Sequence, residues 1–453
     1  MNLKMELRRR IGWVWFAVCA TPAHAQETAE PWSFYGGDAA GSRYSALNRI
    51  HRGNVSALRV AWTYRTGDFG QGLAHADKMA FEATPILVDG ALFLSTPTNI
   101  VIALDPATGR EKWRYDPKVP RSVSYAEITS RGVTAWRDKT IDAQKNCARR
   151  IFIGTLDARL IALDASSGQP CVEFGRSGSV DLKASMNSHQ AGQYLVTSPP
   201  TIFQDLVITG AAIGDNRAVE LAHGTVRAFD ARSGALSWSF QPLKQVPGQK
   251  AGAANAWSVF SVDAALGLIY ISTGSASPDF FGGLRKGNND YANSLIALRG
   301  SDGTVAWSRQ LVHHDLWDYD LAAQPVLVDF ERDGKSIAAV VQATKTGVLF
   351  IFDRESGAPI NEIAERDVPR SSIEGEFASP TQPFTTTPPL ASQAAITPED
   401  AWGLTFYDRG KCRDAIRELR SEGMFTPPSL QGTIQAPGYA GGINWGSVAF
   451  DRE

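Results

Sequence analysis

Cysteine, methionine and histidine are scarce in this chain, neither sign of charge is in excess, and only one apolar run stands out. The 453 residues carry four Cys, five Met and seven His. The formal net charge is -2, so there is no sign of the basic stripe that a nucleic-acid-binding surface needs. A hydrophobic content of 43% with 20% charged residues is that of a globular chain, which argues against a disordered or membrane-embedded protein. Outside the N-terminus no stretch shows long helical periodicity. Glycine (41 residues) and tryptophan (12) are plentiful. Many tight turns with rings packed between them favour β-structure.

The one apolar run, Ile11 to Ala20, follows Lys4 and Arg8 to Arg10 and is closed by Ala23-His24-Ala25. A positive segment, a short apolar core and an A-x-A site predict a signal peptide over residues 1–25, cleaved before Gln26, and export to the periplasm. The run is too short to span a bilayer. Phe16-Ala17-Val18 ahead of Cys19 is not a lipobox. The mature chain then keeps Cys147, Cys171 and Cys412. In an oxidising compartment that means one pair and one leftover. Cys147 and Cys171 flank a predicted hairpin and can meet across it, which leaves Cys412 unpaired.

A turn recurs along the chain: ALDPATG at 103, ALDASSG at 162, AFDARSG at 228, ALRGSDG at 297 and IFDRESG at 351. An Asp can accept backbone N–H groups inside such a turn, and Gly supplies the positive φ that closes it. An apolar run precedes each turn, and a Trp or another apolar strand residue usually follows, so each unit is strand, turn, strand. Repeats of this length are multi-stranded blades that cannot bury both faces alone and close radially into a β-propeller. The opening segment SALRVAWTYRTGD resembles the closing strands of one more unit, for about six in all. From Arg366 to about Gln435 the rhythm breaks into a Pro, Ser and Thr-rich excursion with a helical stretch, CRDAIRELRSEG, where a propeller places functional loops.

HHDLWDYD, His313 to Asp320, fits a metal site, a catalytic base or a polar surface loop. Adjacent histidines in extended chain point to opposite faces, so His313 and His314 are expected to be structural. Other distinctive segments are FEATP at 81, SRGV at 130, SPPTI at 198, GDN at 214, NAWSVFSVD at 255, SASPDFFGG at 275, QATKTGVLFIFDR at 342 and GGINWGSVAFD at 441. Together with HHDLWDYDLAAQP they resemble the quinoprotein dehydrogenases that use pyrroloquinoline quinone (PQQ). The nearest branch is the catalytic domain of the membrane-bound glucose dehydrogenases and their quinate and polyol relatives. The resemblance runs from Trp32 to the end of the chain.

The resemblance implies an eight-bladed all-β propeller, about six blades of it here as one domain over residues 26–453, with PQQ and a divalent ion near the axis. The ion is usually Ca²⁺, and Mg²⁺ accepts the same oxygen donors. Asp318 is the implied general base, taking the substrate's hydroxyl proton as hydride passes to the quinone. Asp215 is the implied carboxylate ligand of the ion, Asp318 can share it, and Ser277 falls where the family places a further oxygen donor. Lys345 is implied to bond the quinone oxygens and stabilise charge on the reduced cofactor. Arg131 and Thr197 match positions that bond the PQQ carboxylates. Glu82 and Asn444 match further cofactor contacts, and Trp257 the ring on which PQQ stacks. The implied activity is oxidation of a sugar, polyol or related hydroxyl, with electrons passed to ubiquinone or a cytochrome c. The other readings are a non-enzymatic periplasmic scaffold built on the same repeat and an inactive truncated quinoprotein.

Two features depart from the family. Glu127 stands where relatives of this branch carry a His, and a carboxylate there is expected to change substrate specificity. The sequence also stops at GSVAFDRE, in a predicted strand, where the family continues through roughly two more blades.

Overall fold

The computed structural model describes residues 32–452 apart from 185, 187–189, 215–217, 219–220 and 244–250. Four antiparallel sheets have four strands each. They are Ile86–Val88, Ala91–Ser95, Val101–Leu104 and Glu111–Tyr115; Thr134–Arg137, Arg149–Gly154, Arg159–Asp164 and Ser179–Asp181; Thr201–Phe203, Leu206–Thr209, Val226–Asp230 and Leu236–Phe240; and Ser261–Asp263, Leu268–Ser272, Ser294–Arg299 and Val305–Gln310. A fifth has three strands, Val326–Arg332, Lys335–Ala343 and Leu349–Asp353. In every sheet the strands lie side by side in chain order, as local hairpins of one repeated unit require. The innermost strands of the second to fifth sheets neighbour one another in sequence, which is the radial arrangement of propeller blades.

The recurrent turn joins the third strand of a blade to the fourth. Asp105 accepts the N–H groups of Ala107 at 3.1 Å and Thr108 at 2.9 Å, and Asp164 accepts those of Ser166 at 3.1 Å and Ser167 at 2.9 Å. A tryptophan packs on four of the five turn glycines: Trp62 on Gly109, Trp113 on Gly168, Trp238 on Gly303 and Trp307 on Gly357. Their indole N–H groups donate to carbonyls of the same turns, Pro106, Ala165, Gly300 and Arg354, at 3.0 to 3.2 Å. The repeat is therefore also the joint between blades. Trp62 belongs to the opening segment, which forms no strand yet seats its ring on the first blade as a closing strand would.

At one joint no tryptophan lies on the turn glycine. Gly234 of the third blade meets Gly175 and Val180 of the second, and Gly175 donates its N–H to Ser233 at 2.8 Å. The second blade carries the Cys147–Cys171 disulfide, both cysteines sitting in its apolar core with Phe174 and Leu182. Cys412 is a free thiol. This joint is tied further out by Asp138, whose carboxylate accepts from Arg232 Nε at 2.9 Å and Nη2 at 3.0 Å and from Thr140. The Arg232 fork, followed by the Thr140 bonds, holds the Asp138 carboxyl down at about 2.

Near the axis, hydroxyls link each blade to the next: Thr134 to the Pro200 carbonyl at 2.5 Å, Ser258 to Ala322 at 2.8 Å and Ser261 to Pro325 at 2.5 Å. Residues 32–43 cross the inner strands, where the Trp32, Ala39 and Ala40 carbonyls accept from Leu87, Val262 and Leu327. The last segment, with Val448 and Phe450, packs against the fifth sheet. The excursion forms a ribbon of Ile363–Asp367 with Thr381–Thr385 and one helix, α1, Phe406–Glu418. The helix starts six residues before the sequence-based expectation because Thr405 caps it, accepting the Asp408 N–H at 3.2 Å.

Two outcomes are expected. Gly168→Ala, at φ +71° with its new Cβ 2.5 Å from the Trp113 ring, will destabilise the protein by about 2 kcal/mol in denaturant titration. The Asp138 contribution is fully present above the ordinary carboxylate pKa and is lost as pH falls from about 4 towards 2. Asp138→Asn will therefore lower stability by about 1–2 kcal/mol at neutral pH and flatten its acid dependence over that window.

Candidate functional site

The polar residues near the axis occupy equivalent places in successive blades, on the loops that lead into the innermost strands. Glu82 precedes the strand at Ile86, Arg131 that at Thr134, Thr197 that at Thr201, Trp257 that at Ser261, and Asp318 and Asp320 that at Val326. A repeated fold thus delivers five different side-chain chemistries to one centre.

Arg131 is buried, 4% exposed. Its Nη2 meets Glu82 Oε2 at 2.9 Å and its Nη1 lies 3.7 Å from Glu127 Oε2. The guanidinium lies over the Trp445 ring at 3.6 Å, with Trp257 at 5.8 Å, and the two indoles meet edge to face at 5.2 Å. Its Nε and the buried Thr197 hydroxyl have no hydrogen-bond partner among the described residues. The Arg131 N–H donates to the Thr197 carbonyl at 2.8 Å, so these two unused donors are held in register. Arg131 borders a cavity of about 400 Å³ lined also by Trp32, Tyr35, Arg43, Glu82 and Trp445.

On the other side of Trp257, Gly274 brings backbone close to both the Trp257 Nε1 and the Asp320 carboxylate. Lys345, 4% exposed, donates from Nζ to the Asp318 carbonyl at 2.8 Å, to Asp318 Oδ1 at 3.2 Å and to Asp320 Oδ2 at 3.3 Å. Burial pushes the Asp318 carboxyl up, and the Asp320 charge pushes it further. Burial alone would also raise Asp320, but Lys345 and the Ser275 N–H outweigh it and hold Asp320 low. Burial works against the Lys345 ammonium, and the two aspartates more than compensate, so its pKa is raised.

The segment carrying Asp318 is fixed on several sides. The fully buried Asp315 carboxylate accepts the Trp317 N–H at 2.9 Å, the Tyr319 N–H at 2.7 Å, Asn293 Nδ2 at 2.9 Å and the Ser275 hydroxyl, which wraps the chain so that Asp318 sits at φ +59°. The excursion clamps it from outside: Trp317 donates to the Thr426 carbonyl at 2.8 Å and packs on Phe425, Tyr319 donates to Pro437 at 2.7 Å, and Gln382 pairs with both backbone groups of His313. The two histidines diverge as expected. His313 meets Gln310 and Glu365, whereas the buried His314 meets the Gly287 carbonyl and Phe377.

The structure thus gathers Glu82, Arg131, Thr197, Trp257, Asp318 and Lys345 around the axis, with Glu127. Ser277 is fully buried and its hydroxyl accepts the Gly252 N–H at 3.2 Å. Asn444 turns into its own loop, donating to Ala440 at 2.8 Å and accepting from Trp445 at 2.9 Å. Asp215 lies outside the described residues, and among the described residues no three His, Cys, Asp or Glu side chains form a metal cluster. Sequence reasoning missed Trp445, Asp320 and Asp315. Trp445 sits beside Asn444 in a motif already noted, and both aspartates are in HHDLWDYD, but nothing in the order of residues distinguishes their roles.

The fold and this centre define a β-propeller with a buried, charged site where its blades converge. Residues 32–453 match the family described as PQQ: Glucose/ethanol/alcohol dehydrogenase, beta-propeller domain, and the chain belongs to that family. It is 36% identical over 447 residues to the quinoprotein glucose dehydrogenase of Escherichia coli, covering 95% of this chain and 56% of that protein. It is 36% identical over 445 residues to the quinate/shikimate dehydrogenase (quinone) of Acinetobacter baylyi, covering 93% and 54%. The crystal structure of quinohemoprotein alcohol dehydrogenase from Comamonas testosteroni superimposes with a TM-score of 0.63 at 26% identity, over 79% of this chain and 52% of that one. The chain spans a little over half the length of these relatives.

Asp315→Ala leaves the buried Trp317 and Tyr319 N–H groups without their acceptor, and is expected to cost about 3 kcal/mol in equilibrium unfolding.

Proposed function

We propose that this chain carries the site of a PQQ-dependent dehydrogenase that oxidises a hydroxyl of a sugar, polyol or related substrate. The observation that carries the reading is the pairing, around Trp257, of a buried Arg131 with an unused donor and a buried Lys345 held against Asp318. Arg131 Nε and the Thr197 hydroxyl fit an anionic ligand, and Trp257 and Trp445 offer ring faces to a flat one. PQQ, when bound, supplies an ortho-quinone that accepts the two electrons leaving the hydroxyl carbon.

The chain's own residues do the rest. Arg131 and Thr197 bind carboxylates, with Glu82 orienting the guanidinium; Asn444 would have to give up the bonds within its own loop to join them. Asp318 takes the hydroxyl proton on its carboxylate. In the protein alone, burial and Asp320 favour the protonated form of Asp318, so cationic charge is needed for it to act as a base near neutral pH. Lys345 supplies part of that charge, and a divalent ion, when bound, would supply the remainder. Asp215, Asp318 and Ser277 would hold the ion, and their hard oxygen donors suit Ca²⁺ or Mg²⁺. Glu127, placed beside Arg131, puts a carboxylate near the cavity and is assigned to substrate choice. Electrons then pass to ubiquinone or a cytochrome c. Export to the periplasm rests on the N-terminal 25 residues, which lie outside the described ones.

The test is reconstitution with PQQ and Ca²⁺, followed by dye reduction with aldoses, polyols and quinate. Asp318→Asn is expected to lower turnover by about a thousandfold or more, as loss of a general base does, with the PQQ dissociation constant within about threefold of the parent. Absence of PQQ binding by the parent protein would refute the reading.

A further inference from the structure

Lys345 uses all three of its N–H bonds on one short segment, and two go to groups of Asp318 itself. The third goes to Asp320, whose carboxylate is the better anchored of the two. Asp320 Oδ1 accepts the Ser275 N–H at 2.5 Å, and the bare backbone of Gly274 lets it lie flat against the chain, where any Cβ would strike it. Ser275 is in turn fixed through its hydroxyl to Asp315 and Asn293. Asp320 is 8% exposed, and both of its carboxylate oxygens are engaged inside the protein, Oδ1 by the Ser275 N–H and Oδ2 by Lys345.

Asp318, by contrast, is half-buried and sits on a left-handed backbone at the turn. Lys345 reaches Asp318 through one backbone and one side-chain oxygen, so a fixed second carboxylate on the same ammonium holds Lys345 beside this turn independently of the Asp318 side chain.

We infer that Asp320 is a positioning residue: its carboxylate, pinned to the Ser275 N–H over Gly274, holds the Lys345 ammonium in place beside Asp318 throughout the reaction. The inference rests on the proposed function for its chemical meaning, while the anchoring itself belongs to the protein alone.

The experiment has two arms. In the first, the cofactor-free protein and Asp320→Asn are treated with acetic anhydride, and modification of Lys345 is followed by peptide mass mapping, with thermal unfolding as a control for folding. The inference expects Lys345 to be modified at least fivefold faster in Asp320→Asn at an unchanged unfolding profile. Equal rates overturn it, whether or not PQQ binds. In the second arm, PQQ dissociation constants are measured by tryptophan quenching for Asp320→Asn, Lys345→Ala and the double variant. If Asp320 acts through Lys345, both single variants weaken binding and the double variant is no weaker than Lys345→Ala. Multiplying effects in the double variant assign Asp320 an independent structural role and overturn the inference. If the parent protein fails to bind PQQ, the functional reading falls and the first arm still decides the anchoring. Asp320→Glu, which keeps the charge, is expected to restore Lys345 protection at least in part; no restoration counts against the inference.

Discussion

At four of the five joints among the described residues, neighbouring blades are held together by an indole laid on a turn glycine, with its N–H given to a carbonyl of the same turn. The ring buries a large apolar area, and the N–H fixes its orientation, so one side chain sets both distance and angle between blades. Because the joints at Gly109, Gly168, Gly303 and Gly357 share one geometry, successive blades repeat one rotation. The loops entering the innermost strands are then brought to a common centre. The site depends on this joint, since its residues come from five successive blades.

The exception shows what the joint demands. Between the second and third blades no indole lies on the turn glycine, and glycine meets glycine. Trp136 of the second blade instead gives its indole N–H to the Gln204 carbonyl of the third at 3.1 Å, and the Asp138–Arg232 fork ties the same joint.

At the centre, charge is arranged in two separated groups. Arg131 is balanced by Glu82 and Glu127 at the cavity, and Lys345 by Asp318 and Asp320 deeper in, with Trp257 between them. The excursion after the fifth blade matters because it returns over HHDLWDYD. Phe425, Thr426 and Pro437 grip Trp317 and Tyr319, so the exposed-looking insertion in the sequence is a clamp on the segment that holds Asp318.

The blades and much of the site could be read from the residues in order. The recurrent Asp and Gly turns act within a few residues of themselves, so their chemistry is local, and the pairing of Cys147 with Cys171 follows from one hairpin. Asp318, Lys345, Arg131 and Trp257 were singled out because their motifs resemble those of a known family. What the order of residues could not show was which of three aspartates in HHDLWDYD bears which load. Asp315 is an internal strut, Asp318 faces the ammonium from a strained turn, and Asp320 is bound to Ser275, a residue of the preceding blade. Nor could it show that Trp445, at the far end of the chain, covers Arg131. Local turns and strands follow from near neighbours along the chain, so the sequence alone determined the blade repeat. The partnering of Asp320 with Lys345 and of Arg131 with Trp445 depends on how blades stack around an axis, and only the tertiary structure decided it.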